Sequence, residues 1–277
     1  MQFAKLQGLG NDFIVINGLQ EKIAEQEYSE LALKMCDRHF GIGADGILLV
    51  LPSEKADIRM RVINSDGSEA EMCGNGIRCF ARYVYEEKIV AKKEMTVETL
   101  AGIMVPKIIT DTQDKVQLIE VDMGVPLLKK EQIPMVNVEQ TLGAELMIEG
   151  QAFTVTAVSM GNPHCVIFVD DIKQTDLEYW GPRIERSSYF PQKTNVEFVQ
   201  VLSENEVIMR VWERGAAITM ACGTGSCATT VACVLNGKTA RDVLLHLDGG
   251  DLQVRWDENN GHLYMTGAAE NVFRGIW

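Results

Sequence analysis

The chain repeats itself, and the repeat limits what it can fold into. Arg61, Val62, Ile63 and Asn64 lead through a polar loop to Cys73-Gly74-Asn75-Gly76 and an apolar run. Arg210, Val211, Trp212 and Glu213 lead in the same way to Cys222-Gly223-Thr224-Gly225 and a second apolar run. Cysteines and arginines are offset alike, 222 less 73 and 210 less 61 both giving 149 positions, so strand, loop, thiol and following segment recur in register. Such a chain folds as two similar halves, and a length of 277 residues with 46% hydrophobic residues supplies a core for both.

In each half the cysteine stands where an alternating strand gives way, through a glycine-rich turn, to a helix. The unsatisfied N–H groups and positive dipole end of a helix favour a thiolate there and also bind carboxylates. Two shorter features keep the same spacing. Gly10-Asn11 precedes the strand from Phe13 to Ile16, and Gly161-Asn162 precedes Val166 to Val169, an offset of 162 less 11, or 151. Asn and Gly are common turn residues, but recurrence beside both thiols makes these turns candidates for the site.

The spacing predicts an outer amphipathic helix over 21–38 in the first half and another over 172–190 in the second, the latter broken or kinked at Gly181-Pro182. The runs after Cys73 and Cys222 are apolar on most faces, and none of the residues from Gly223 to Asn236 is charged, so each is expected to be a central buried helix wrapped by sheet. Gly41-Ile42-Gly43-Ala44-Asp45-Gly46 leads into a strand and not a helix, which excludes a dinucleotide-binding turn. The least patterned stretch, 126–150, follows the expected domain connection, placing a first domain at 1–124 and a second at 125–264.

With 39 acidic against 26 basic residues and a net charge of −13, nucleic acid and anionic membranes are excluded as partners, and a small-molecule ligand is expected. No signal-peptide pattern or long apolar span is present, so the expected home is the cytoplasm. Seven cysteines, an odd number without a Cys-x-x-Cys pair, argue against a disulfide framework. Four scattered histidines argue against a metal centre. Cys36, Cys79, Cys165, Cys227 and Cys233 read as core residues; Cys73 and Cys222 are set apart by their glycines and their pairing through duplication.

Two thiols at equivalent points of duplicated domains suit proton removal from one face of a carbon and delivery to the other. An ordinary thiol pKa of about 8.5, lowered at a helix start, brings thiol and thiolate near parity at neutral pH. Backbone N–H groups of Gly74-Asn75 and Gly223-Thr224 suit an α-carboxylate gaining enolate character. Asn64 and Glu213-Arg214 end equivalent strands, and Arg214 suits a bidentate grip on a second carboxylate. His164, beside the Gly161-Asn162 turn, reads equally as a structural or a supporting residue.

With these residues placed, the chain resembles the diaminopimelate epimerase family over nearly its whole length. The motifs are Gly8-Leu9-Gly10-Asn11-Asp12-Phe13, Gly41-Ile42-Gly43-Ala44-Asp45-Gly46, Asn64-Ser65-Asp66-Gly67-Ser68, Cys73-Gly74-Asn75-Gly76, Met160-Gly161-Asn162-Pro163-His164, Glu213-Arg214-Gly215 and Ala221-Cys222-Gly223-Thr224-Gly225. The resemblance implies an α+β fold of two pseudo-symmetric domains, each a curled, largely antiparallel sheet or barrel around a central buried helix. It further implies that residues 265–277 return to the first domain. It implies Cys73 and Cys222 as a cofactor-independent acid/base pair acting on LL- and meso-diaminopimelate in lysine and peptidoglycan precursor biosynthesis, with a homodimer as a candidate assembly. Substrate binding carries over to Asn11, Asn64, Gly74, Asn75, Asn162, Asn195, Glu213, Arg214, Gly223 and Thr224. The family's Glu-Arg-Gly-x-Gly-Glu-Thr is altered here, with Ala217 and Ile218 in place of Gly and Glu, which removes a charge and a flexible hinge near the second thiol. A racemase of another amino acid, a non-catalytic amino-acid-binding homologue and, more distantly, a thiol redox protein stay as alternatives.

Overall fold

A computed structural model describes all residues, Met1–Trp277. The chain divides into two compact units, one of Met1–Asp122 with Thr266–Trp277 and one of Met123–Met265. In the first, β1 (Gln2–Gly8), β2 (Asn11–Asn17), α1 (Tyr28–Met35), β3 (Gly46–Leu51), β4 (Ile58–Asn64) and β5 (Glu69–Ala70) precede α2 (Gly74–Glu86). After it come β6 (Val97–Thr99), β7 (Gly102–Met104), β8 (Lys107–Thr110) and β9 (Val116–Asp122). The second unit holds β10 (Ala144–Ile148), β11 (Gln151–Ser159), β12 (Pro163–Phe168), α3 (Leu177–Glu185), β13 (Asn195–Ser203), β14 (Glu206–Glu213) and β15 (Ala217–Thr219). Then follow α4 (Gly223–Leu235), β16 (Asp242–Leu247), β17 (Gly250–Trp256) and β18 (Leu263–Gly267), and the chain ends on β19 (Glu270–Ile276).

The duplication extends to the pairing of the strands around each cysteine-led helix. The order β19-β1-β2-β3-β4-β6-β7 in the first unit answers β10-β11-β12-β13-β14-β16-β17 in the second, with β5 on β4 and β15 on β14. Both series are mixed, with parallel contacts at β2–β3 and β4–β6 matched by β12–β13 and β14–β16, and antiparallel contacts elsewhere. The order is that of open, curled sheets and not of a closed barrel. β19, from the end of the chain, takes the place that β10 fills in the second unit and pairs antiparallel with β1.

Each sheet curls around its cysteine-led helix. α2 packs against β1, β2, β3, β9 and β19, and α4 against β11, β12, β13 and β17. Ile77, Cys79, Phe80, Ala81 and Val84 of α2 are fully buried, as are Cys227, Ala228, Val231, Ala232 and Cys233 of α4. Burying the larger of these, Ile77, Phe80, Val84 and Val231, stabilises by roughly 1.5–3 kcal/mol each, and the burial holds the first turn of each helix in place. The other cysteines assigned to the core, Cys36 and Cys165, are also buried.

The outer helices are shorter than their patterns suggest. α1 starts only at Tyr28, after a 3-10 turn at Glu25–Glu27. It stops where the Asp37 side chain accepts the N–H groups of His39 and Phe40, and where those of Ile42 and Gly43 return to the Met35 carbonyl. In the second half a 3-10 turn at Ile172–Gln174 precedes α3, whose cap is the Asp176 carboxylate on the Tyr179 N–H. Gly181-Pro182 does not break α3; Pro182 lies inside it. Gly181 is there for space, since a Cβ would meet the Trp212 ring at 2.6 Å. The stretch 126–150 is not wholly irregular, because it contains β10 and a 3-10 turn at Lys130–Gln132. No helix is long and apolar enough to cross a membrane.

Candidate active site

Cys73 and Cys222 are the N-caps of α2 and α4. Both are extended (φ −137°, ψ 122°; φ −123°, ψ 113°), so each sulfur turns back on its helix and accepts an N–H three residues on, from Gly76 and Gly225, at 3.4 Å in both cases. A capping side chain normally carries oxygen. Sulfur in that role sits where the helix dipole and open N–H groups favour negative charge. Both glycines are closely packed: a Cβ on Gly76 would meet Cys73 Cβ at a tight 3.2 Å, and one on Gly225 would meet Glu197 Oε1 at 2.8 Å and Cys222 Sγ at 3.2 Å.

In the first unit, Leu9 (φ 56°) and Gly10 (φ 83°) make a two-residue hairpin turn between β1 and β2, with left-handed angles at both positions that match the twist of the strands. The turn places Asn11 at the start of β2, beside the start of α2. The Cys73 thiol donates to Asn11 Oδ1 at 3.6 Å, and Asn75 Nδ2 donates to the same oxygen at 3.2 Å. Asn11 Nδ2 donates to Asp45 Oδ2 at 2.6 Å. Behind them Arg38 bridges Asp12 and Asp45, both at 2.8 Å, and Lys5 lies 2.6 Å from Asp12. Burial raises the Asp12 carboxyl, but Arg38 and Lys5 outweigh it and bring it down to about 2. Asn64, at the end of β4, donates to Ser68 Oγ at 3.0 Å and is half-buried.

In the second unit the Cys222 sulfur lies 3.6 Å from Thr224 Oγ1, and Asn162 Nδ2 donates to that hydroxyl at 3.4 Å. Asn162 Oδ1 is 3.1 Å from His164 Nε2, and His164 Nδ1 is 2.6 Å from Glu197 Oε1. His164 and Glu197 are fully buried. Asn195, also buried, donates to the Pro163 carbonyl at 2.9 Å and takes the Arg214 backbone N–H at 2.9 Å, which fixes the turn after β14. Arg214 itself is exposed, with Nη1 donating to the Gln192 carbonyl at 3.2 Å. Burial pushes the Glu213 carboxyl above the ordinary range, while Thr219 and Cys222 act the other way.

The two thiols are not alike in surroundings. Cys222 is buried, and burial, with the Glu213 and Glu197 carboxylates adding to it, pushes its pKa well above the ordinary thiol value despite Thr224 and the Gly225 N–H. Desolvation therefore exceeds the lowering expected of a helix start. Cys73 is half-buried. Where the first unit has Phe13 and Leu48 against Gly76, the second has Glu197, itself paired with His164, against Gly225, so an apolar support answers a polar one.

Asn11, Gly74 and Asn75 thus gather at Cys73, and Asn162, Glu213, Gly223 and Thr224 at Cys222. Asn64, Asn195 and Arg214 stand at the ends of strands in their own units. Three residues of these networks escape a reading of the sequence. Asp45 sits in a glycine-rich segment that reads as a turn, and Glu197 in a strand that reads as core. Arg78 lies in a helix that reads as apolar, yet it is fully buried.

A family model described as diaminopimelate epimerase matches residues 3–129 and 156–272. A diaminopimelate epimerase of Heliobacterium modesticaldum is 57% identical over 277 residues, covering 99% of each chain. One of Desulfitobacterium hafniense is 55% identical, covering 100% of this chain and 98% of its own. Solved structures with the same fold include a phenazine biosynthesis protein of the PhzF family from Bacillus anthracis (TM-score 0.73, 17% identity, 99% of this chain and 98% of that one). A hydroxyproline epimerase from Agrobacterium vitis is also similar (TM-score 0.69, 15% identity, 99% and 91%). With a family model spanning both halves and full-length relatives above half identity, the chain belongs to the diaminopimelate epimerase family.

Proposed function

We propose that this protein interconverts LL- and meso-diaminopimelate without a cofactor, using Cys73 and Cys222 as the two acid/base groups. The observation that carries the reading is the duplicated cap: one thiol at the start of a buried helix in each unit, each with an N–H on its sulfur and an Asn-led amide network beside it. In the reaction one sulfur, as thiolate, takes the α-proton. The C–H electron pair passes into the carboxylate as an enolate, and the other sulfur delivers its own proton to the opposite face of the carbon. One C–H bond breaks, one forms, and the stereocentre inverts with no net change in composition.

The raised pKa of Cys222 suits such a substrate. A thiol held protonated by burial and nearby carboxylates gives up its proton when a cation arrives, and an amino acid brings an α-ammonium group. N–H groups at the starts of α2 and α4, including those of Gly74, Asn75, Gly223 and Thr224, hold the α-carboxylate as its charge grows. Asn64, Asn195 and Arg214 read the distal amino and carboxylate groups. We place the enzyme in the cytoplasm, in lysine and peptidoglycan precursor synthesis, on its odd cysteine count and its relatives' names. We place it in a homodimer on the exposed apolar edge that Val272, Phe273 and Ile276 give to β19, an edge that invites pairing. The test is incubation with LL-diaminopimelate alone and separation of stereoisomers by chiral chromatography. Formation of meso product supports the reading, and its absence, with turnover of histidine or proline, would replace it by another racemase.

A further inference from the structure

The orientation of a side-chain amide is ordinarily ambiguous, because its oxygen and nitrogen are alike in shape. Around Cys73 it is not. Asn11 Nδ2 meets the Asp45 carboxylate at 2.6 Å, and a carboxylate only accepts. Asn75 Oδ1 meets Arg78 Nη2 at 2.9 Å, and a guanidinium only donates. The two amides are therefore pinned from opposite ends and meet as Asn75 Nδ2 to Asn11 Oδ1 at 3.2 Å. Both anchors are themselves held. Asp45 Oδ2 also takes the Asp12 N–H at 2.9 Å while Oδ1 holds Arg38 at 2.8 Å. Arg78, fully buried, also donates to the carbonyls of Gly74 at 3.1 Å and Ala268 at 3.2 Å. Gly8 makes room for that guanidinium, since a Cβ there would stand 3.3 Å from Arg78 Nη2.

We propose that Asp45 is a positioning residue for Cys73: by gripping the Asn11 amino group it turns the Asn11 carbonyl oxygen to the sulfur, where it accepts the S–H and disfavours the thiolate. The contact concerned is the 3.6 Å approach of Cys73 Sγ to Asn11 Oδ1. Were the amide reversed, an N–H would face the sulfur and favour the thiolate instead. The second unit lacks this device: positions equivalent to Asp45 and Arg78 are Thr194 and Cys227, and Asn162 leans on His164 Nε2, which can donate or accept while Nδ1 faces the Glu197 carboxylate. The polarity of the amide at Cys73 is thus set by partners of fixed role, whereas the Asn162 amide meets a hydroxyl and a ring nitrogen, neither of fixed role. The charged groups of the Cys73 network include Asp45, Asp12, Lys5 and Arg38 behind Asn11, and Arg78 on α2, which also carries the Cys79 thiol.

The inference deepens the epimerase reading by assigning a proton to one of its thiols, yet its test needs no turnover, so the two can fail separately. In a Cys222→Ala background, the rate of Cys73 alkylation by iodoacetamide is followed against pH, with circular dichroism to confirm folding. Asp45→Asn moves the profile to lower pH and speeds alkylation at pH 7 by about three- to tenfold, the range of one net hydrogen bond. Asn11→Ala does the same, and adding Asp45→Asn to it causes no further shift, because Asp45 acts through Asn11. An equal shift from Asp45→Asn with and without Asn11 would reduce the effect to bare charge and overturn the proposal. So would an unmoved profile in Asn11→Ala, a result that stands even if Asp45→Asn fails to fold.

Discussion

At the residue scale, the site is governed by what burial does to ionisable groups. Glu213 is the clearest case. Its carboxyl is raised in the folded state, chiefly by burial, so ionising it costs the folded protein stability. That cost is absent while the group is protonated and grows as pH rises above the ordinary carboxylate range. Glu213→Gln is therefore expected to raise the denaturant midpoint at pH 7, with the gap to the parent closing under acidic conditions, while epimerisation falls about tenfold or more. Denaturation at pH 7 and pH 4, paired with an activity assay, checks both. The cysteines, the recurrent asparagines and the strand-end Glu-Arg pair were legible because duplication marks them. Asp45 and Glu197 were not, since each matters through a partner distant in sequence, 34 positions from Asn11 to Asp45 and 33 from His164 to Glu197, and Arg78 was hidden as one charge in an apolar run.

At the scale of elements, periodicity found the two central helices, because burial on every side leaves a run without charge, as in α4. It placed the ends of α1 and α3 poorly. Those ends are decided by capping, through Asp37 and Asp176, which an apolar stripe does not register. The hairpin β14–β15 shows the reverse case, where a departure from the family pattern has a visible cost. Ala217 adopts φ 62°, a left-handed angle at the position where the family carries glycine. Ile218 beside it packs on the apolar cluster around Phe198 and Trp212. Ala217→Gly is thus predicted to stabilise the protein by about 1 kcal/mol, the left-handed penalty less the extra entropy of glycine. A shift of the urea midpoint to higher concentration at unchanged slope checks it; a lower midpoint would mean the turn gains from alanine.

At the scale of the whole molecule, the duplication holds for seven strands of each series in pairing but not in order along the chain. The first unit depends on the last strand: β19 covers β1, and the carbonyls of Ala268 and Ala269 take Arg78 and Arg82 of α2. A chain ending at Met265 leaves the buried Arg78 and half-buried Arg82 donors without these acceptors and exposes β1. It is expected to lose cooperative unfolding of the first unit, seen as rapid proteolysis within residues 1–122 while the second unit persists. If the two thiols act as acid and base, each turnover exchanges an α-proton between substrate and a thiol. Epimerisation of LL-diaminopimelate in heavy water, with products analysed by mass spectrometry and NMR, tests it most directly. Each inverted centre should carry one solvent deuteron, and Cys73→Ala and Cys222→Ala should each abolish inversion while remaining folded; inverted product that retains its original proton, or full turnover in either variant, would contradict it.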